Sequence, residues 1–385
     1  MIKKIKNEWL SNIHKDLLSS FVVGLSMIPE TAGFAIMVGL SPSIAFFTTF
    51  YMALILALFG ARKAMISAAA GSVALVLVGV CKNYGLEYVG IATIMAGVIQ
   101  IFFGIFKIGK LLKYIPQSVM FGFVNALGLL LLKEQFKFFE NQSYAMYLLV
   151  LIGILIIYLF PLITKKIPSN LVCIIAVSAI ALIFDFQVPN LGTIEQGKME
   201  FQFMVLPPLD IKIFIELLPY ALSLALVGTI ESLLTAKTLD DIIGDNSDKN
   251  REAKAQGLGN ITSGILGGMT GCALVGQSII NAKSGATTRL STFFAGFSLL
   301  VLVLVFNEYV TKIPIAAVVA VMIMISITTF NIQSITNIRN IKVQDTINML
   351  IVVAVVLATD NLAIGVGVGV TTNLLLNKAL FKPKY

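Results

Sequence analysis

Histidine occurs once in this 385-residue chain, at His14, and cysteine three times, at Cys81, Cys173 and Cys272. A single histidine leaves no HExxH zinc motif, no pair of haem ligands and no His-based nucleophile triad. Three scattered cysteines in apolar sequence form neither a CxxC metal site nor a disulfide framework. His14, beside Lys15 and Asp16, reads as a surface residue. Charge is scarce too: 12% of residues are Asp, Glu, Lys or Arg against 57% hydrophobic, and the mean hydropathy is +0.92. A soluble fold of this size cannot bury so much apolar surface, so the chain reads as an integral membrane protein with the lipid bilayer as its surroundings. No constellation of nucleophile, base and metal ligands stands out, which argues against an enzyme, and no cofactor is expected.

What is present is a set of apolar runs separated by small basic clusters. The net charge of +8 comes from Lys and Arg spaced singly or in pairs, which argues for membrane topology and against a nucleic-acid partner. Residues 1–16, "MIKKIKNEWLSNIHKD", read as an amphipathic cytoplasmic helix at the membrane surface with Trp9 as interfacial anchor. A span needs about 20 mostly apolar residues, fewer where helices break inside a bundle. Fourteen candidates emerge: 17–37, 43–60, 64–80, 88–106, 116–132, 144–163, 169–184, 214–236, 255–267, 272–282, 288–306, 314–330, 344–358 and 361–377. With a cytoplasmic N-terminus, most of the 28 basic residues fall on the cytoplasmic side of a cell membrane, including Arg62, Lys63, Lys107, Lys110, Lys113, Lys165, Lys166, Arg339 and Lys342. Both termini are then inside.

The halves resemble each other. Ile115-Pro116 opens the fifth span and Ile313-Pro314 the twelfth, 198 residues later. Glu30 and Glu231 are 201 apart, and the small-residue segments around Gly71 and Gly276 are 205 apart. Seven spans is an odd number, so a repeated unit of seven is inverted in its second copy. The expectation is an all-α polytopic membrane protein of fourteen transmembrane segments in two inverted repeats of seven. The repeats cover 17–184 and 214–377, with an extracytoplasmic connector at 185–213 and a short cytoplasmic tail at 378–385.

The third and tenth segments are short, follow small-residue loops, and carry Gly, Ser or Gln where a lipid-facing helix carries Leu. They read as half-helices whose N-terminal N–H groups and dipoles point into the protein, together an anion site that needs no cationic side chain. A buried carboxylate in a span costs roughly 2.5 kcal/mol or more, so Glu30 and Glu231 read as functional. Glu231 and Thr235 lie four apart on one helix face and offer oxygen ligands to a sodium ion, or Glu231 takes a proton.

Two stretches, "DLLSSFVVGLSMIPETAGFAIMVGLSPSIAFF" and "NREAKAQGLGNITSGILGGMTGCALVGQSIINAKSG", resemble the SulP, or solute carrier 26, family of inorganic anion transporters, nearest its sodium-dependent bicarbonate branch. The resemblance covers essentially the whole chain. It implies a core domain moving against a gate domain, and an anion held between Ala69, Ala70, Gly71 and Ser72 on one side and Ala273, Leu274, Val275 and Gly276 on the other. It also implies a coupling-cation site at Glu231 and Thr235, and a substrate-path or proton role for Glu30. Where many members carry a basic residue this chain has Gln277, and Glu231 stands where the sodium-coupled members have Asp. Members usually continue into a STAS domain, but this chain stops at Tyr385. The expected activity is secondary active transport of bicarbonate or sulfate by alternating access, coupled to sodium or protons, and a homodimer is compatible with it. A dicarboxylate or nucleobase substrate on the same fold, or a passive anion channel, are the alternatives.

Overall fold

The computed structural model describes residues 2–107, 116–164, 167–194, 203, 207, 210–336 and 343–380. Ile115, Lys110, Lys113, Lys165, Lys166, Arg339, Lys342, much of the 185–213 connector and residues 381–385 lie outside the described residues.

The first half runs α1 (Ile2–Trp9), α2 (Ile13–Val38), α3 (Pro42–Phe59), β1 (Ser67–Ala69), α4 (Gly71–Tyr84), α5 (Val89–Ile105), α6 (Gln117–Gln135), α7 (Tyr144–Ile163) and α8 (Ser169–Ile183). After the short α9 (Leu191–Ile194) come α10 (Ile211–Ile243), α11 (Lys249–Ile265), β2 (Gly271–Ala273), α12 (Val275–Lys283) and α13 (Arg289–Val305). The chain continues through α14 (Asn307–Thr311), α15 (Ile315–Thr329), α16 (Ile332–Thr336), α17 (Val343–Thr359) and α18 (Leu362–Leu380). Local chemistry sets several boundaries. Pro116, Pro168 and Pro314 immediately precede α6, α8 and α15, where a fixed φ and a missing N–H do no harm. Gly39 and Gly244, at φ +89° and +79°, close α2 and α10 in the left-handed conformation. Asp248 accepts from the N–H groups of Asn250 and Arg251 and so caps α11.

Among the described residues, six helical stretches are long and apolar enough to cross a bilayer. They are α2, α3, α5 with its leading turn, α6 with its trailing turn, α7 and α10; α4, α8, α13, α15, α17 and α18 are shorter apolar helices. Two expected spans fall outside both groups: α11 opens on the polar run Lys249–Glu252, and α12 has only nine residues. Leu151, Leu155, Leu159 and Ile163 on α7 are exposed along the outside, as side chains facing acyl chains would be.

The packing pairs off between the halves. α3 packs on α13 and α5 on α11, and α6 packs on α17 and α7 on α15; within the halves, α7 packs on α8 and α17 on α18. At the α5–α11 crossing a Cβ on Gly97 would lie 2.6 Å from the Gly257 carbonyl oxygen, and one on Gly257 would lie 2.5 Å from that of Gly97. Only two glycines let these backbones approach so closely.

The helical expectation needs one addition, because β1 and β2 pair antiparallel, Ala68 opposite Cys272. Two three-residue strands buried without neighbours would leave polar edges, and side chains from the surrounding helices close them. Asn260 grips Gly271 through both its N–H and its C=O, at 2.8 and 3.0 Å. Ser232 accepts from the Ala273 N–H at 3.1 Å and Ser278 from the Ile66 N–H at 2.9 Å, while Thr49 reaches the Ala69 N–H only at 3.4 Å.

Residues 1–16 are not one helix, since α1 ends at Trp9 and His14 to Asp16 open α2. The segment is tied to the loop before α13. Glu8 pairs with Arg289 at 2.9 Å, and buried Asp16 accepts from the Thr287 N–H and the Thr288 hydroxyl at 2.8 and 2.6 Å. His14 is exposed, as expected.

Candidate functional site

The strands turn the two short helices toward one place. Each leads, after one residue, into a helix start: β1 through Ala70 into Gly71 of α4, β2 through Leu274 into Val275 of α12. Neither start has a side-chain cap, and the first intrahelical bonds are Ala74 N–H to Ala70 and Ser278 N–H to Leu274, both 3.0 Å. The N–H groups of residues 71–73 and 275–277 therefore have no intrahelical acceptor, and each start carries the positive end of a helix dipole.

Both starts line one cavity of about 490 Å³. Its other walls come from α2 and α10, through Glu30, Phe34 and Glu231, and from α6 and α15, through residues such as Leu127, Leu131 and Thr328. Phe34 and Leu131 require glycine at 71, because a Cβ there would sit 2.7 Å from the ring and 2.9 Å from Leu131. A Cβ at Gly276 would meet nothing within 4 Å, so that backbone faces open space.

Of the residues expected at the site, Gly71, Ser72, Leu274, Val275, Gly276, Gln277, Glu30 and Glu231 line this cavity. Ala69, Ala70 and Ala273 are wholly buried behind it in the strands and at the α4 N-cap. Thr235 is also wholly buried, and its hydroxyl donates to the main-chain oxygen of Glu231 at 2.8 Å, one turn back. It is a helix-internal bond of the kind Thr often makes. The shared helix face is real, but the Thr235 proton is spent on backbone.

Each carboxylate meets one partner from the opposite half, and Glu231 a second from its own. Glu231 on α10 accepts hydrogen bonds from Ser72 at the start of α4 and from the Cys272 thiol in β2, the latter at 3.2 Å. Glu30 on α2 accepts from Gln277 Nε2 of α12 at 2.7 Å, and Gln277 Oε1 in turn accepts from Ser26 at 3.0 Å. Sequence reasoning missed Cys272, Ser26 and Phe34 as members of the site. It also left Glu30 without a partner, since these contacts join residues 251 and 247 positions apart. Among the described residues no Lys, Arg or His lines the cavity. Arg62 is committed to Asp240 and Asp245, and Arg289 to Glu8.

This arrangement offers amide donors to an anion, and carboxylate and hydroxyl oxygens to a cation. The model of the Sulfate permease family matches residues 13–146 and 139–355. A Bacillus subtilis protein, YbaR, whose name proposes sulfate transport, is 42% identical over 382 residues, covering 99% of this chain and 79% of YbaR. The bicarbonate transporter BicA of Picosynechococcus is 26% identical over 400 residues, covering 95% of this chain and 71% of BicA. The solved transmembrane domain of a cyanobacterium bicarbonate transporter BicA superposes with a TM-score of 0.82 at 23% identity, over 94% of this chain and 98% of that one, and shows the same fold.

Proposed function

We propose a transport cycle for this chain, which belongs to the Sulfate permease family and is a multi-pass helical membrane protein of a family of transporters, not enzymes. In this reading it is a secondary active transporter of a small inorganic anion, bicarbonate or sulfate, working by alternating access. Fourteen membrane segments in two inverted repeats form a core containing α2–α5 and α10–α13 and a gate containing α6–α8, α15, α17 and α18, with both termini cytoplasmic. The reciprocal packing of the halves and the antiparallel strand pair support that arrangement.

One observation carries the reading: two uncapped helix starts open into the same cavity, beside a carboxylate and, among the described residues, without a cationic side chain. The amides of 71–73 and 275–277 would hold the anion. A carboxylate about 6 Å from that anion would cost roughly 3 kcal/mol at an effective dielectric of about 20. Ionised Glu231 therefore disfavours the anion until a cation neutralises it, which couples the two. The carboxylate, with the Ser72 hydroxyl oxygen and backbone oxygens near Thr235, would take sodium, or the carboxyl a proton. Glu231 is thus the coupling group, and the walls from α6 and α15 are the surface against which the core moves.

The test is uptake of labelled bicarbonate, sulfate and chloride into proteoliposomes under separately imposed sodium and proton gradients. Uptake should follow one of those gradients in the unmodified chain and lose that dependence in Glu231→Gln. Full gradient-driven uptake in the variant would contradict the mechanism, and uptake that is linear and indifferent to both gradients would favour a passive channel.

A further inference from the structure

A second cavity, of about 440 Å³, lies farther along the cleft between α4 and α6. On α4, Gly71 and Ser72 line the central cavity, and the helix from Leu75 to Lys82 lines this one. On α6, Leu127 and Leu131 line the central cavity, while Leu130 and Glu134 line the second. Lys82 is ten residues beyond Ser72, about 15 Å along the helix. With both termini cytoplasmic, that direction leads to the outer face.

The two cavities differ in charge. Among the described residues no cationic side chain lines the central one, whereas Lys82 and Lys137 line the second, with Glu134 and Asp360. Each of these acids has its own lysine: Glu134 pairs with Lys137, and Asp360 with Lys133 at 2.9 Å. Lys82 has no ion-pair partner among the described residues, so it is the charge in excess. Beside it on the wall is Tyr220 of α10, whose place is fixed from several sides. Its ring lies against α4 where a Cβ on Gly79 would come within 2.9 Å, and it meets the Tyr84 ring edge to face at 5.9 Å. The Tyr220 hydroxyl accepts from Asn83 Nδ2 at 2.7 Å and so keeps its own proton to donate.

We propose that this outer cavity is a second anion site, which captures small inorganic anions through the Lys82 ammonium and the Tyr220 hydroxyl before the cleft opens to the central site. It rests on the transport reading above. An ammonium in a wet cavity attracts the anion, and the amides of the central site receive it once water is excluded. Capture raises the local anion concentration and therefore acts on KM, from one side of the membrane, and weakens with salt.

The experiment measures the KM and maximal rate of labelled bicarbonate and sulfate flux from each face of the full chain, in vesicles of uniform orientation at low ionic strength. Lys82→Gln should raise KM from the outer face by about fivefold, the effect of one charge at about 4 Å in water. The inner-face KM and the maximal rate should not move, and the difference should shrink in molar salt. Lys82→Arg should keep the low KM, and Tyr220→Phe should raise it by a smaller factor. Asp360→Asn releases Lys133 and should lower the outer KM, a change of opposite sign that a merely structural role for these residues does not produce. An outer KM that ignores Lys82→Gln, a shift equal on both faces, or a rise in KM in Asp360→Asn overturns the inference. Absence of anion flux in the unmodified chain contradicts the transport reading itself, whereas flux with an unmoved KM in Lys82→Gln contradicts this inference alone.

Discussion

The start of α4 and the start of α12 do the same thing with different chemistry. Each presents free amides to one cavity, and each sends its second or third residue across to the carboxylate of the other half: Ser72 to Glu231, Gln277 to Glu30. The halves therefore exchange donors, with the Cys272 thiol adding a donor to Glu231 from its own half. A hydroxyl and thiol on one side and an amide on the other give two similar carboxylates different partners. The lesson is that two similar carboxylates, one in each half, can be given unlike surroundings through a change of donor type.

Removing one carboxylate breaks this comparison most severely. In Glu231→Gln, dependence of uptake on the driving cation should fall by about a hundredfold or more, matching the roughly 3 kcal/mol of coupling that one charge supplies. Retained dependence in a gradient-driven flux assay would contradict it. The strands supply the next test, because the two are held unequally. Asn260→Leu strips a two-bond grip from buried Gly271 and should destabilise the protein by about 2–4 kcal/mol in a detergent unfolding assay. Thr49→Val removes one long bond to Ala69 and should cost about 1 kcal/mol or less. Equal costs would mean the strand pair is held symmetrically after all. Between these in size lies the reciprocal glycine crossing, where Gly257→Ala should cost about 1–3 kcal/mol by overpacking against α5. The smallest effect belongs to a tie outside the site: Glu8→Gln, whose partner Arg289 also donates to the carbonyls of Ala57 and Gly60, should cost about 1 kcal/mol or less.

How much of this was legible in the chain follows from which interactions are local. The seventh span, expected at 169–184, is Ser169–Ile183, and the sixth, expected at 144–163, is Tyr144–Ile163, because apolar runs ended by proline and small polar residues need no distant partner. Pro116 and Pro314 mark equivalent helix starts for the same reason. The strand pair left no trace: Ser67–Ala69 and Gly271–Ala273 are three small residues each, too short to alternate and stabilised by side chains from α3, α10, α11 and α12. The donor exchange was equally hidden. Ser72 and Glu231 are 159 positions apart, and nothing in either helix alone says which residue faces which acid. Thr235, selected by its i, i+4 spacing from Glu231, turned out to bond the backbone, since spacing places a side chain on a face without choosing its hydrogen-bond partner.

The central claim is that the anion lies between the two helix starts, and a structure determined with the transported anion at saturating concentration tests it most directly. The account predicts anion density within hydrogen-bond reach of the N–H groups of residues 71–73 and 275–277. Density lodged elsewhere, with those amides unliganded, would contradict it.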